Sequence, residues 1–529
     1  MKTKYKAIQN NSSTLDHGHV VVGKDVLELL SSAMYVDQLT IYREYIQNSI
    51  DSIDEARSSR LLDSKINGKI EINLETDTRS ITIKDNGMGI KSDDFYKRVT
   101  SIGASHKKGT NARGFRGVGR LSGLGCCREL VFRTKFYGEE IISELRWDCQ
   151  KLKANLRDNT NNMELEAVIH DSTSFNTYES KDKNAHYFEV QLNGVMRLRK
   201  DSLINEDSIT NYISQIAPIP FSPEFSWADD IKSSLDEYNC LSDVDIFINN
   251  ADAPLYRPHR DAFNLSDSKN INFQNLDIYK IPSIDGEMAA IGWVLHHEYT
   301  GALSTSLGIK GMRARAGNIQ VGGNNILENI FPELRFNSWA VSELHILDKN
   351  IIPNGRRDNF EQNAHFNNLI NQLLPMGRDI SNKCRSSSLI RNKVKLFESK
   401  HESISDNLKI IEKGILPKKD TKRLEEVILT NIVEMEGAIS YDLLDKKTKR
   451  RLNTKFNKLK NKIDSKNKRT LKGSPEELSF LSINERKTYQ NIFSMVYEFS
   501  SNRTVADRLI NKIIRRIKID KKINYPAAS

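Results

Sequence analysis

The chain has 529 residues, enough for roughly three domains at about 150 residues each. Its 38% hydrophobic content suits folded cores. Mean hydropathy is −0.54, no apolar run approaches the ~18 residues of a membrane span, and the charged start MKTKYKAIQNNSS lacks the apolar stretch of a secretory signal. A cytoplasmic protein with no membrane partner is therefore expected.

The five cysteines (Cys126, Cys127, Cys149, Cys240 and Cys384) form no CxxC pair and read as free thiols in a reducing compartment. Net charge is +10, but it is unevenly spread. Residues 378–529 hold 36 Lys/Arg against 19 Asp/Glu and carry +17, which leaves −7 for the first 377 residues. Such asymmetry fits either a polyanionic partner or a solvated helical surface at the C-terminal end.

Residues 24–62 read as helix, broken near Val36–Asp37. KIEINLE (69–75) and SITIKDNG (80–87) alternate apolar and polar residues and predict two strands. SDDFYKRVTSIG (92–103) predicts a helix capped by Ser92 or Asp93. A glycine-rich polar stretch covers 103–125. Strand-like runs follow at 130–137, 140–147, 163–170 (MELEAVIH) and 186–192 (HYFEVQL), with loops expected at 154–162 and 171–185. A helix over 207–221 stops at Pro218 and Pro220. A second α/β segment then runs to about 377, with strands at DVDIFIN (243–249), AAIGWVL (289–295), MRARAGNIQVG (312–322) and VSELHIL (341–347). Beyond 378 the pattern turns helical and lysine-rich. The span 445–472 alone holds 13 basic residues and two acidic ones. The predicted class is α+β: an N-terminal α/β sandwich over 1–222, a second α/β domain over 223–377, and a basic all-helical region over 378–529.

Four stretches carry chemistry. IYREYIQNSID (41–51) puts Glu44, Asn48 and Asp51 on one face of a helix whose remaining surface is Ile and Tyr. Buried carboxylates need a partner, and an amide oxygen flanked by acids suits a hard cation such as Mg²⁺. Taken alone, the spacing also fits a solvated helix face. IKDNGMGI (83–90) ends a strand at Lys84 and places Asp85 over a turn at Gly87 and Gly89. A carboxylate there can accept a hydrogen bond from an exocyclic amine, although DNG is also a plain turn signal. GTNARGFRGVGRLSGLG (109–125) sets Gly114, Gly117 and Gly119 before a helix start near Val118, where backbone N–H groups form an anion site. Arg113, Arg116 and Arg120 add positive charge. LDKNIIPNGRRDNFE (347–361) carries Arg356 and Arg357 on a Pro/Asn/Gly loop from which an arginine can reach a γ-phosphate. DHGH (16–19) and HHE (296–298) hold metal-ligating residue types without the spacing of a defined site.

Together these stretches resemble the GHKL ATPase superfamily of gyrase, the ninety-kilodalton heat-shock chaperone, histidine kinases and MutL-type repair proteins. EYIQNSID looks like the family's N-box, DNGMGI like its DxGxG box, and GFRGVGRLSGL like its second glycine box in the chaperone style. The loop at 347–361 resembles the chaperone's middle-domain loop with a catalytic arginine. The resemblance covers about 1–377. It implies a Bergerat-type sandwich followed by a transducer-like domain, with ATP and Mg²⁺ as cofactors. Glu44 would be the general base, Asn48 the Mg²⁺ ligand and Asp51 its support. Asp85 would read the adenine amine, with Gly87 and Gly89 shaping the pocket. Residues 100–113 would form a lid with Lys107 or Lys108 touching phosphate. Gly114, Gly117, Val118 and Gly119 would donate backbone N–H groups. Arg357, or its neighbour Arg356, would sense the γ-phosphate. The family's late-strand threonine has no counterpart in HYFEVQL.

The resemblance implies an ATP-driven clamp that pairs through closed N-terminal domains into a homodimer and acts slowly on a protein client. The alternative is a clamp on DNA, in repair or antiviral defence, held through the basic residues 378–529.

Overall fold

The computed structural model describes residues 37–63, 68–103, 117, 119–158, 164–197, 200–238, 243–266, 269–470 and 477–524. Residues 1–381 form one compact unit and 382–529 a second. The α+β organisation expected from the sequence holds: a sheet with helices on it, a further sheet, and a helical C-terminal region.

The first sheet has seven strands in the order β5-β4-β3-β6-β2-β1-β7. They are β1 (Gly68–Glu75), β2 (Ser80–Asp85), β3 (Glu129–Lys135), β4 (Ile141–Asp148), β5 (Thr173–Glu179), β6 (Tyr187–Asn193) and β7 (Val244–Ile248). All neighbours are antiparallel except β1 and β7, which run parallel with Gly68 opposite Val244. The DVDIFIN strand thus lies past residue 222 yet completes the edge of the first sheet. Alternation does the local work: Ile70 and Ile72 of β1 and Ile81 and Ile83 of β2 turn into the core, while Lys69, Glu71 and Lys84 turn away.

Helix α1 (Thr40–Ser58) packs on this sheet. Tyr42, Tyr45, Ile46, Ile50, Ile53 and Ala56 recur at helical spacing and are buried. Each of the isoleucines contributes about 1.5–3 kcal/mol by leaving water. Their polar atoms are paired: the Tyr42 hydroxyl donates to the Leu203 carbonyl at 2.6 Å, and the Tyr45 hydroxyl accepts from Gly123 N–H at 3.0 Å. The remaining helices of this sheet are α2 (Ser92–Thr100), α3 (Cys149–Arg157), α4 (Leu165–Ser172) and α5 (Glu206–Ile216). Helix α5 stops before Ala217, which is extended ahead of Pro218.

Three local expectations are corrected. MELEAVIH forms helix α4 rather than a strand, because Leu165, Val168 and Ile169 make a helical stripe on the core that its alternating charges disguise. The expected loop at 171–185 contains edge strand β5, whose side chains are mostly exposed, so no buried face signals it. Neither Ser92 nor Asp93 caps α2. The helix begins at Ser92 after Lys91, and its first N–H is taken by the Glu139 carboxylate at 3.1 Å from the β3–β4 turn, a partner distant in sequence.

The second sheet runs β10-β11-β14-β12-β13, built from β10 (Asn275–Pro282), β11 (Met288–His296), β12 (Gly311–Ala316), β13 (Ile319–Val321) and β14 (Val341–Ile346). Helix α6 (Ala228–Asp236) precedes it, and the small hairpin β8 (Ala262–Ser266) and β9 (Lys269–Asn272) accompanies it. Its core holds Phe221, Phe225, Ile291, Trp293 and Val341. His296 is bonded to Tyr299 and Asp277, and His297 to the Trp339 carbonyl, so both serve the fold. DHGH lies outside the described residues.

The second unit continues α7 (Ala364–Glu412) and adds α8 (Lys418–Ile439), α9 (Lys446–Thr470), α10 (Ile483–Phe499) and α11 (Arg503–Asn524). One apolar cluster joins Phe397, Leu408, Met435, Leu452 and Phe456. Another joins Leu478, Phe493, Ile510 and Ile514. Cys126, Cys127, Cys149 and Cys384 are buried thiols. No helix among the described residues is long and apolar enough to cross a membrane.

Two buried imidazoles give the second sheet a pH signature. His259 sits among Phe221, Phe225 and Trp293, and burial lowers its pKa to about 3. Burial lowers His345 to about 4 against the pull of Glu343. Both are neutral when folded and take up protons near pH 6.5 when unfolded. Their neutral burial is fully tolerated above that pH, and stability falls as pH drops from 6.5 toward 4. Denaturant titrations between pH 7 and 4 should show a loss approaching about 1.4 kcal/mol per pH unit for each imidazole. His259→Phe should flatten that slope, and an unchanged slope would assign the acid sensitivity elsewhere.

Candidate functional site

Glu44 and Asp51 are buried on α1, each 7% exposed, with Asn48 half-buried between them. The stripe faces the 3-10 turn Gly119–Gly125 that ends the glycine-rich stretch. The approach is close: a Cβ built on Gly119 would stand 2.1 Å from Glu44 Oε2, so a side chain there would displace this carboxylate. Gly123 N–H bonds to the Tyr45 hydroxyl and holds the turn against the helix.

Asp85 ends β2, is 2% exposed, and lies opposite Ile70 in register, so it shares the α1 face of the sheet. Its Oδ1 accepts the Gly87 N–H at 2.9 Å, and Met88 N–H bonds to the Ser52 carbonyl on α1 at 3.0 Å. Gly89 has φ of 72° and would press a Cβ to 2.2 Å from the Lys135 carbonyl. The DNGMG turn is therefore clamped between α1 and β3. Phe188 stands opposite Asp85 on β6, and Thr134 stands opposite Phe188 on β3. Thr134 Oγ1 accepts the Ile90 N–H at 2.8 Å, so a threonine does support this turn, from the strand next to the one searched in sequence. A cavity of about 220 Å³ also touches Asp85, but Lys69, Glu71 and Lys84 place it on the outer face, away from the acidic stripe.

The loop at 347–361 reaches α1. A bridge between Pro353 and Phe360 closes it, and Arg357 adopts φ of 55°. Arg357 Nε lies 3.8 Å from Glu44 Oε1, while Arg356 is exposed and lines a separate cavity. Arg43 holds the loop in place. Its guanidinium donates to the Arg356 carbonyl at 2.8 Å and to the Arg357 carbonyl at 3.2 Å, with its Nε 3.7 Å from Glu44 Oε1. Gly322 N–H gives the Arg357 carbonyl a second donor at 2.9 Å.

The structure thus brings together Glu44, Gly119 and Arg357, carries Asn48 and Asp51 further along the same helix, and sets the Asp85–Gly89 turn against Ser52 of α1. Gly117 is described as well, its carbonyl held by Arg120. Lys107, Gly114 and Val118, with most of 100–113, lie outside the described residues. The oxygen-only donor set of one amide flanked by carboxylates suits Mg²⁺, and the close backbone approach at Gly119 suits a phosphate.

Sequence reasoning missed Arg43 and undervalued Arg120. Arg43 bonds a residue 314 positions away, so no local spacing marks it. Arg120 donates to the carbonyls of Ser101 at 2.9 Å and Gly117 at 3.2 Å, one before the glycine-rich stretch and one within it. Burial, with Arg98 nearby, lowers its pKa to about 10. Three glycines in its vicinity had drawn attention to phosphate contacts rather than to this bracing.

Comparison with known proteins gives a consistent result. Residues 40–182 match the family described as histidine kinase-, DNA gyrase B- and HSP90-like ATPase. The chaperone protein HtpG of Idiomarina loihiensis is 26% identical over 151 residues, covering 25% of this chain and 24% of the relative. HtpG of Buchnera aphidicola is 27% identical over 165 residues, covering 28% and 25%. HtpG of a Sulfurovum species is 30% identical over 132 residues, covering 22% and 21%. The alignments span about a quarter or less of these relatives' length.

Arg43→Met removes both bonds to the 356–357 backbone while keeping the stem. Hydrogen bonds from a charged donor are worth about 1.5–3 kcal/mol each, so amide exchange across 354–358 should accelerate about ten-fold or more. Unchanged protection by mass spectrometry would mean that the loop is held by its own turn alone.

Proposed function

We propose that this chain, whose residues 40–182 match the family described as histidine kinase-, DNA gyrase B- and HSP90-like ATPase, binds ATP and hydrolyses it slowly as a conformational switch. The observation that carries this reading is the convergence on Glu44 of the Gly119 turn and the Arg357 loop.

In this reading Asp85 accepts the adenine amine, and Gly87 and Gly89 keep the base against the sheet. Gly117 and Gly119, with Lys107, Gly114 and Val118 from the sequence, surround the phosphates. Asn48, supported by Asp51, would hold Mg²⁺, which offsets charge on the phosphates. Glu44 orients a water and takes its proton. Arg357 meets the γ-phosphate. Its present place beside Glu44 has a simple meaning: the guanidinium neutralises the base until substrate competes for it. Arg43 is a positioning residue, since it acts through the loop backbone. Turnover is slow because the loop must exchange partners before chemistry.

The family likeness supports a homodimer closing through its N-terminal domains and a protein client as the thing acted on. Turnover with and without candidate clients tests the latter. For the site, Glu44→Ala should keep nucleotide affinity and lose turnover about a hundred-fold or more, as removal of a general base does. Asp85→Asn should lose binding. Gly119→Ala should displace the Glu44 carboxylate and lower kcat more than affinity. Calorimetry with ATP beside a phosphate-release assay reads all three. Full turnover in Glu44→Ala would remove the proposed mechanism.

A second reading has its own observation. Helix α9 turns Leu452, Phe456 and Leu459 inward and exposes Lys446, Lys447, Arg450, Arg451, Lys458 and Lys460. Its 25 residues span about 37 Å at 1.5 Å each. A rod of this charge suits the phosphate backbone of duplex DNA, which would make the switch a DNA clamp and leaves a role in antiviral defence open to test. Affinity of the full chain for duplex DNA should fall steeply with salt, the log–log slope growing by about 0.9 per phosphate neutralised. Reversal of Arg450, Arg451 and Lys458 to glutamate should flatten it. Absence of binding at low salt would leave the protein-client reading alone.

A further inference from the structure

Behind the Arg357 loop, within the first unit, lies a cavity of about 370 Å³. Arg43, Arg313 and Arg356 line it together. Two of these guanidiniums are buried, Arg43 at 5% and Arg313 at 3% exposure. Neither has a hydrogen-bonded carboxylate. Arg313 donates to the amide oxygens of Gln320 at 2.9 Å and Gln215 at 3.0 Å, and its Nε finds no acceptor. Arg43 donates to two carbonyls, and its Nε also finds none.

The charge around Arg313 is unbalanced for a structural reason. Arg313, Arg257 and Arg315 share the buried region of Glu343. Glu343 spends one oxygen on Arg257 at 2.7 Å and the other on Arg315 at 2.9 Å. His259 and His345, held neutral by burial, supply no counter-charge. Two carboxylates reach the cavity, Asp37 and Asp358, but both are exposed and each already accepts a bond, from Leu39 N–H and the Asn354 amide. A buried guanidinium without an anion is costly. Arg43 has the Glu44 carboxylate 3.7 Å from its Nε, whereas Arg313 has no such partner among the described residues and lines a space of small-ligand size. Planar guanidiniums match the oxygens of a phosphate.

We propose that this cavity is a binding site for a small phosphate-bearing molecule, held by Arg313 and Arg356 with Arg43 at its inner wall. The site is separate from the acidic stripe. It shares the loop that carries Arg357: the Arg356 side chain faces the cavity, and the Arg356 and Arg357 carbonyls are held by Arg43 and Gly322. A ligand here fixes the loop from behind. Only this regulatory consequence rests on the ATPase reading.

The test is calorimetric titration of the full chain with glycerol 3-phosphate and with inorganic phosphate, beside the Asp85→Asn, Arg313→Gln and Arg356→Gln chains. Saturable binding of glycerol 3-phosphate is expected in the wild type and in Asp85→Asn. Each arginine variant should weaken it about ten-fold or more, the effect of losing one charged hydrogen-bonding partner. Arg356 is exposed, so Arg356→Gln decides the matter if Arg313→Gln does not fold. No binding of either probe, or equal affinity in Arg356→Gln, overturns the proposal. Displacement of the probe by saturating ATP in the wild type but not in Asp85→Asn also overturns it, by moving the anion to the nucleotide cleft. An inactive ATPase with intact, arginine-dependent phosphate binding would sink the ATPase reading and keep this one.

Discussion

The Arg43 guanidinium is the joint on which the site's geometry depends. It sits on α1, one residue before Glu44, and grips two consecutive carbonyls of the loop that carries Arg357. Helix and loop belong to different sheets and are more than 300 positions apart in the chain. Backbone carbonyls make durable acceptors because they cannot rotate away as a side chain can. The arrangement therefore fixes the loop's path while leaving the Arg357 side chain able to swing.

Glycine plays the complementary part. At Gly119 the main chain comes so near the Glu44 carboxylate that a methyl group would overlap it. At Gly89 the backbone enters a conformation that side chains rarely adopt and lies against the Lys135 carbonyl. Both positions narrow the space above α1 with main chain rather than side chains. The result is a surface of fixed N–H and C=O dipoles, which need not reorganise when charge arrives.

Much of this was legible in the sequence because its signals are local. The ExxxNxxD stripe is read within two helical turns, and Asp85 follows from an alternating strand that ends in a glycine turn. The order of these boxes carried the fold of the first sheet. Other features were hidden because their causes are remote. Glu139 caps α2 from another turn, Thr134 supports the DNGMG turn from two strands away, and Arg43 finds its acceptors in a different sheet. Helix α4 was misread because its charges alternate along a segment too short to establish a period. Strand β5 was missed because an edge strand with two wet faces has no hydrophobic rhythm. Arg356 and Arg357 are chemically equivalent as text. Only the folded loop separates them: Arg357 lies beside Glu44, while Arg356 is exposed and lines the cavity behind the loop.

The parallel pairing of β7 with β1 has a practical consequence. Cutting the chain at residue 222 would strip this outermost ribbon from the first sheet and bare a row of β1 amides and carbonyls. Such an unguarded margin invites self-association with a neighbouring copy. A fragment intended to isolate the first sheet for biophysical work must therefore carry Val244–Ile248 with it, or its oligomeric behaviour will report the scissors and not the protein.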